Sequence, residues 1–247
     1  MRDNVARAMV NKATTLGMIG RRDDAVAVLD DLVGRFGIAN EAELRERVAA
    51  ALVNKGIILS QIGRSEDAIA IFDDVAGRLD IANEAQLREQ AAKALVSKGI
   101  VLSQIGRKEE AIAVYDDVVS RFGTGSEVEL REQVARALVD KGIALDRLGR
   151  SEDALVVYDD AIGRIGTASE TALSAQFARA LVSKGITLGG VGRSEDAIAA
   201  FDDLIGRLGA EKKAELRDRV DRARSLRSEI VNRTKPKPKK SRPSKRG

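Results

Sequence analysis

The feature that most constrains this chain is its internal repetition. The sequence aligns on itself at a fixed offset of 43 residues, without a gap, five times over. The copies begin at Val5, Val48, Ala91, Val134 and Phe177. Five ungapped copies mean that one supersecondary unit is built repeatedly. A unit of this size cannot bury its own apolar stripe and must lean on its neighbours.

Each copy reads as two helices. In the second, Asn40 with Glu43 predicts a capping box, and Leu44, Val48, Ala51, Leu52, Leu59 and Ile62 recur at helical spacing up to Gly63. Ser65 is the expected cap of the next helix. Glu66 and Asp67 lie in its first turn and Arg78 in its last, as the helix dipole favours. Ala68, Ile69, Phe72 and Val75 form its apolar stripe. Gly20, Gly63, Gly106, Gly149 and Gly192 punctuate the first helices, and Gly37, Gly123, Gly166 and Gly209 most of the second. The three prolines (Pro236, Pro238, Pro243) all fall near the C-terminus, so the body lacks the strongest helix breaker. Hydrophobic residues make up 44% of the chain but aromatics only 3%. The core must therefore be assembled from small aliphatic side chains, which suits closely stacked helices.

These columns resemble the tetratricopeptide repeat family. The spacing of its large residue, small residue and Ala-x3-aromatic is met by Leu52, Gly56, Leu59, Ala68 and Phe72. It is met again by Leu95, Gly99, Leu102, Ala111 and Tyr115, by Leu138, Gly142, Leu145, Ala154 and Tyr158, and by Leu181, Gly185, Leu188, Ala197 and Phe201. The first copy carries Ala13 in the glycine column and Leu29 in the aromatic column. The family's period is usually about 34 residues, so the unit here is an extended variant. A 43-residue period also suits HEAT or armadillo units, which lack this Gly–Ala–aromatic spacing.

The resemblance implies an all-α fold, a right-handed α-solenoid of five helix–turn–helix repeats with a C-terminal capping helix. The solenoid is expected over residues 1–230. Its repeats fall at 5–47, 48–90, 91–133, 134–176 and 177–219, with a cap helix at 220–230 and a basic disordered tail at 231–247. Met1 aligns with Leu44 and its later equivalents. This predicts a chain that starts inside a first helix, so that the natural array extends upstream or another domain covers that end.

Charge is organised in columns. The pairs Asp30–Asp31, Asp73–Asp74, Asp116–Asp117, Asp159–Asp160 and Asp202–Asp203 recur in every unit, as do Lys12, Lys55, Lys98, Lys141 and Lys184. A carboxylate pair can hold Mg²⁺ or Ca²⁺, but a catalytic or metal pair should occur once. A fivefold acid column beside a fivefold base column predicts ion pairs that fix helix register. Two arginine columns, Arg21, Arg64, Arg107, Arg150, Arg193 and Arg35, Arg78, Arg121, Arg164, Arg207, read as helix-end and surface pairing.

Chemistry is constrained by what is missing. With no His and no Cys, the chain lacks the commonest general base, the commonest metal ligand and any disulfide. It also has no nucleotide-binding glycine motif. The expectation is a non-enzymatic chain with no cofactor and no metal site. No signal peptide or membrane span is apparent, which predicts a cytoplasmic location.

Function is expected where the copies differ. In the family it resembles, first helices line the concave groove. Here that maps to Asn54, Gln61, Ser97, Gln104, Asp140, Asp146, Arg147 and Ser183, with Val53 and Ile57 in neighbouring groove positions. The reading is a scaffold that binds a peptide or partner protein on its concave face. The alternative is a nucleic-acid-associated protein anchored by its tail. The formal charge of +4 hides a division: residues 231–247 hold eight basic groups and no acid. Lys235, Lys237, Lys239, Lys240, Arg242, Lys245 and Arg246 could make weak, non-specific contact with nucleic acid, but no aromatic is interleaved for base stacking.

Overall fold

The computed structural model describes residues 1–79, 85–166 and 170–234. The tail lysines and arginines from Lys235 to Arg246 lie outside these. Among the described residues the chain is helical throughout: α1 (Arg2–Met18), α2 (Arg22–Phe36), α3 (Ala42–Gln61), α4 (Ser65–Leu79), α5 (Ala85–Gln104), α6 (Lys108–Phe122), α7 (Val128–Arg147), α8 (Ser151–Ile165), α9 (Thr171–Gly190), α10 (Ser194–Leu208) and α11 (Ala214–Thr234). Two compact units are formed by residues 1–177 and 178–247, the boundary falling inside α9. No helix among the described residues is long and apolar enough to cross a membrane.

Helices α3, α5, α7 and α9 each have 20 residues, about 30 Å at the usual rise. Their partners α4, α6, α8 and α10 have 15. The turn joining each pair is identical in construction. Gly20, Gly63, Gly106, Gly149 and Gly192 all take φ between 77° and 88°, a left-handed conformation that glycine adopts without a Cβ penalty. The N–H of the following arginine reaches back into the helix, as from Arg64 to the Leu59 carbonyl at 2.9 Å, while Gly63 N–H bonds the Ser60 carbonyl at 3.2 Å. This double closure is the Schellman motif, which satisfies carbonyls that the helix end would otherwise orphan.

The expected N-caps are not the ones used. Helix α3 begins after Glu41 with no side-chain cap bond, so the Asn40–Glu43 box does not form. Ser65 is already the first residue of α4. At the equivalent turns the cap is the arginine after the glycine: Arg21, Arg107, Arg150 and Arg193, none with a side-chain cap bond. The Schellman turn leaves only three residues between helices, and the arginine is committed to it through its N–H. Its guanidinium instead pairs with the carboxylate three residues on: Arg21–Asp24, Arg64–Asp67, Arg107–Glu110, Arg150–Asp153 and Arg193–Asp196, each at 2.6–2.8 Å. The two-pronged bond from Arg107 holds the Glu110 carboxyl below its ordinary range.

Within each hairpin the small columns set the helix separation. Ala25, Ala68, Ala111, Ala154 and Ala197 are fully buried. A Cβ on Gly56 or Gly185 would fall 2.5 Å from the ring of Phe72 or Phe201, and Gly99 and Gly142 sit closer still to Tyr115 and Tyr158. The glycine is therefore required by the aromatic opposite it. The first hairpin exchanges both partners, pairing buried Ala13 with buried Leu29.

Between hairpins of residues 1–177, first helices touch first helices (α1 with α3, α3 with α5, α5 with α7), and each also packs on the second helices before and after it. Second helices meet one another in this unit through long side chains near their ends, as Arg107 beside α6 reaches Glu66 of α4 at 3.2 Å and Arg164 of α8 donates to the Gly123 carbonyl after α6 at 3.3 Å, among the described residues. The ion columns lock this stack. Lys55 pairs with Asp30 at 2.5 Å, Lys98 with Asp73 at 2.6 Å and Lys141 with Asp116 at 2.5 Å, each across a hairpin boundary. The second aspartate of each pair holds the arginine four residues on, as in Arg35–Asp31 and Arg78–Asp74. Both acids of each doublet are thus used structurally wherever these contacts recur. Among the described residues no three or more acidic side chains cluster in a way that could hold a metal ion.

In residues 178–247, α10 packs on α11. Arg227 stands in the lysine column and pairs with Asp202 at 2.5 Å, which raises the arginine's already high pKa. Helix α11 runs to Thr234, four residues past the boundary expected for the tail. Ile230 and Val231 are half-buried, and Thr234 Oγ1 donates back to the Ile230 carbonyl.

The first hairpin is the least covered. Val5 is 41% exposed, whereas Val48 at the same position is 7%. Lys12 is exposed and meets no aspartate among the described residues, unlike Lys55. Among the helices, hydrogen exchange is therefore expected to be fastest within residues 1–35. Protection there equal to that of α5 and α6 would show that this end is held as firmly as the centre.

Candidate functional site

The first-helix layer of residues 1–177 carries most of the candidate positions. Gln61, Gln104 and Arg147 are exposed at the C-terminal ends of α3, α5 and α7. Asn54, Ser97 and Asp146 are half-buried, and Asp146 accepts a hydrogen bond from Ser151 Oγ at 2.8 Å. Ser183 is half-buried within the second unit. Asp140 departs from its column: it is only 9% exposed, with Arg136 Nε 4.0 Å away, and belongs to the helix packing more than to an open surface.

The valine column expected in the groove is also internal. Val53, Val96 and Val139 are buried among the core. The apolar groups that do reach the surface are one turn further along. Ile57 is 36% exposed, and Ile100 and Ile143 are half-buried. Helical periodicity places both columns near one face but does not say which side of the stripe a neighbouring first helix will cover. That depends on the close approach of α3 to α1 and α5.

Around these residues the charges are mostly neutralised where they stand. Arg47 pairs with Asp3 at 3.2 Å, Lys93 with Glu89, Arg88 with Glu127 at 3.6 Å, and Arg2 with Glu41 at 2.7 Å. Such surface pairs contribute little stability individually.

Two candidate residues are brought together in a definite concavity. Asn54 and Gln61, two turns apart on α3, line a pocket of about 400 Å³ with Ala13, Thr14, Gly17 and Met18 of α1, Arg22 and Leu29 of α2, and Ile57 and Ile58 of α3. Of the α1 and α2 members, only Ala13 and Leu29 stand out in the repeat columns as such. Their signal is present in the repeat alignment nonetheless: at positions 13, 14, 17, 18, 22 and 29 the first copy departs from what the second, third and fourth copies carry.

The turn geometry, the glycine–aromatic contacts and the stacking of first helices converge with sequence comparison. The tetratricopeptide repeat model matches residues 11–85 and 98–172, and the chain belongs to that family. Its fold class is the all-α solenoid of helix–turn–helix repeats. Among solved structures it is similar to BtubC (BKLC) from P. vanneervenii, at 15% identity and a TM-score of 0.62, over 98% of this chain and 86% of that one. It is similar to a Rap protein complexed with competence and sporulation factor, at 14% identity and a TM-score of 0.60, over 91% of this chain and 62% of that one. A thermophilic TPR protein from Thermus thermophilus matches at 15% identity and a TM-score of 0.50, over 89% and 99%. No curated protein matches the chain in sequence.

Proposed function

We propose that this chain is a non-enzymatic protein–protein interaction scaffold that holds a peptide or partner protein on its first-helix face, the concave side in this family. One observation carries the reading. The frame is repetitive and most of its charges are paired in place, whereas the polar side chains that change from copy to copy lie mainly on the first helices. These include Asn54, Ser97, Gln61, Gln104 and Arg147. A protein of the same fold, the Rap protein, was solved with a factor bound.

Photo-crosslinking tests this directly. A photoreactive residue is placed in the full chain at Ile57, Ile100 or Ile143, or on the second helices at Ala70 or Ala113, which are exposed. Polypeptide adducts are expected at the three isoleucine positions. Adducts only at Ala70 and Ala113, or none at any position, would overturn the reading.

The second reading, a nucleic-acid anchor, is favoured only by the eight basic groups and absent acids of residues 231–247. It predicts weak binding to duplex DNA that falls steeply with salt, because each neutralised phosphate releases counterion. Deleting residues 235–247 should abolish that binding without changing helicity or melting. Binding that persists after the deletion, or that ignores salt, would count against it.

A further inference from the structure

The pocket between α1, α2 and α3 has a chemistry that the other hairpins do not repeat. Where the second to fourth copies place isoleucine and then serine or aspartate, the first has Thr14 and Gly17. Leu29 stands where Phe72 fills the equivalent space, and Met18 replaces Gln61. The result is an open cavity of about 400 Å³ with an apolar floor of Leu29, Ile58 and Gly17. Its rim carries the amide groups of Asn54 and Gln61, each able both to donate and to accept.

Arg22 completes the lining, at a position where Ser65, Lys108, Ser151 and Ser194 stand in later copies. The two arginine columns of the frame pair with acids three or four residues away. Arg22 is different. It is half-buried, and among the described residues its Nε donates only to a neutral group, Gln61 Oε1, at 3.2 Å. That leaves both terminal nitrogens of its guanidinium for another acceptor, and no acid lines the pocket. Asp24, in the same turn, is taken by Arg21 at 2.6 Å.

We infer that this pocket receives an aliphatic side chain of a bound peptide whose neighbouring aspartate or glutamate side chain pairs with Arg22. The inference rests on the first-helix face being the partner-binding face. The apolar floor desolvates the aliphatic group, the two amides of α3 meet the peptide backbone, and the fork of Arg22 takes the carboxylate in a bidentate bond. The carboxylate comes from a side chain within the segment, since the pocket is lined mainly by the neighbouring first helices α1 and α3 and a peptide seated there continues along them.

The test uses the full chain labelled with ¹⁵N and the acetylated, amidated peptide Gly-Ser-Leu-Asp-Ser-Gly. Saturable amide shifts are expected at Thr14, Gly17, Asn54 and Gln61. Changing the peptide's leucine to alanine or its aspartate to asparagine should each weaken binding about tenfold, as should Arg22→Gln, the scale of one charge-assisted bond. Gly17→Leu is the control for folding. A Cβ there meets Ile58 Cδ1 at 3.9 Å, ordinary contact, and leucine favours helix over glycine. This variant should melt no lower than the parent yet lose the peptide. Unchanged binding in Gly17→Leu, equal affinity for the aspartate and asparagine peptides, or no shifts at all would overturn the inference. So would rescue of the asparagine peptide by a free C-terminal carboxylate, which would reassign the anion to the chain end. If the crosslinks at Ile57, Ile100 and Ile143 form while these shifts fail, the pocket assignment falls and the broader face stands.

Discussion

Replacing Gly99 by leucine is expected to cost about 1–3 kcal/mol or more through overpacking, measured as a drop in the denaturant midpoint at unchanged slope. The glycine faces the ring of Tyr115, and even a bare Cβ would meet that ring inside any real contact distance. Tyr115 is itself fully buried and cannot swing away. The helices α5 and α6 must then part, which also disturbs Ala111 between them. The first hairpin shows what the close approach demands: where the small residue is Ala13, the aromatic has become Leu29. Gly99→Ala should therefore be strongly destabilising alone and much less so in combination with Tyr115→Leu. Contacting sites typically couple by about 0.5–3 kcal/mol. Additive effects would mean that the ring and the glycine do not constrain one another. Gln104→Leu, on an exposed position, serves as the neutral comparison.

Tyr158→Ala is expected to be costlier still, about 3–5 kcal/mol by the scale of large-to-alanine changes in cores. Tyr158 is the largest member of a cluster with Leu145 and Ala154, against which Ile112, Ile143 and Val157 pack. Its ring fills the space left by Gly142. Losing it leaves a void that the neighbouring columns cannot close, because Gly142 and Ala154 have no side chain long enough to move into it. The loss should appear at equilibrium and in faster amide exchange along α7 and α8. A cost below about 1 kcal/mol would be that of a peripheral contact, and would contradict the ring's placement at the centre of the hairpin.

Much of this was legible in the sequence because five copies average away local accident. The glycine, alanine and aromatic columns specify close helix packing, and the acid and base columns announce ion pairs. The doublet even divides as its spacing requires: Asp73 reaches Lys98 in the next hairpin, while Asp74 lies one helical turn from Arg78. What could not be read was how the elements end and which edge of a stripe is covered. Asn40 and Ser65 have the chemistry of caps, yet the three-residue Schellman turn before Ser65 leaves no room for a separate capping residue, and α3 starts one residue beyond the box that Asn40 would need. Val53 and Ile57 are one turn apart and equally apolar, and only the approach of neighbouring first helices buries one and exposes the other. Asp140 is buried where its equivalents Asn54 and Ser97 stay half-buried, for the same reason. The pocket around Arg22 needs three helices to exist. Its only trace in the sequence is a first copy that breaks its own pattern at several positions.

The central claim is that each hairpin is held by its neighbours and not by a core of its own. Chains ending after residue 90, 133, 176 or 247 test it by equilibrium unfolding. In a stacked array each added hairpin contributes its own term and a new interface. The midpoint should therefore rise with every step of the series, with the largest gains at the shortest lengths. Midpoints that stay the same from residues 1–90 to the full chain would show that each hairpin folds alone, and would contradict the account.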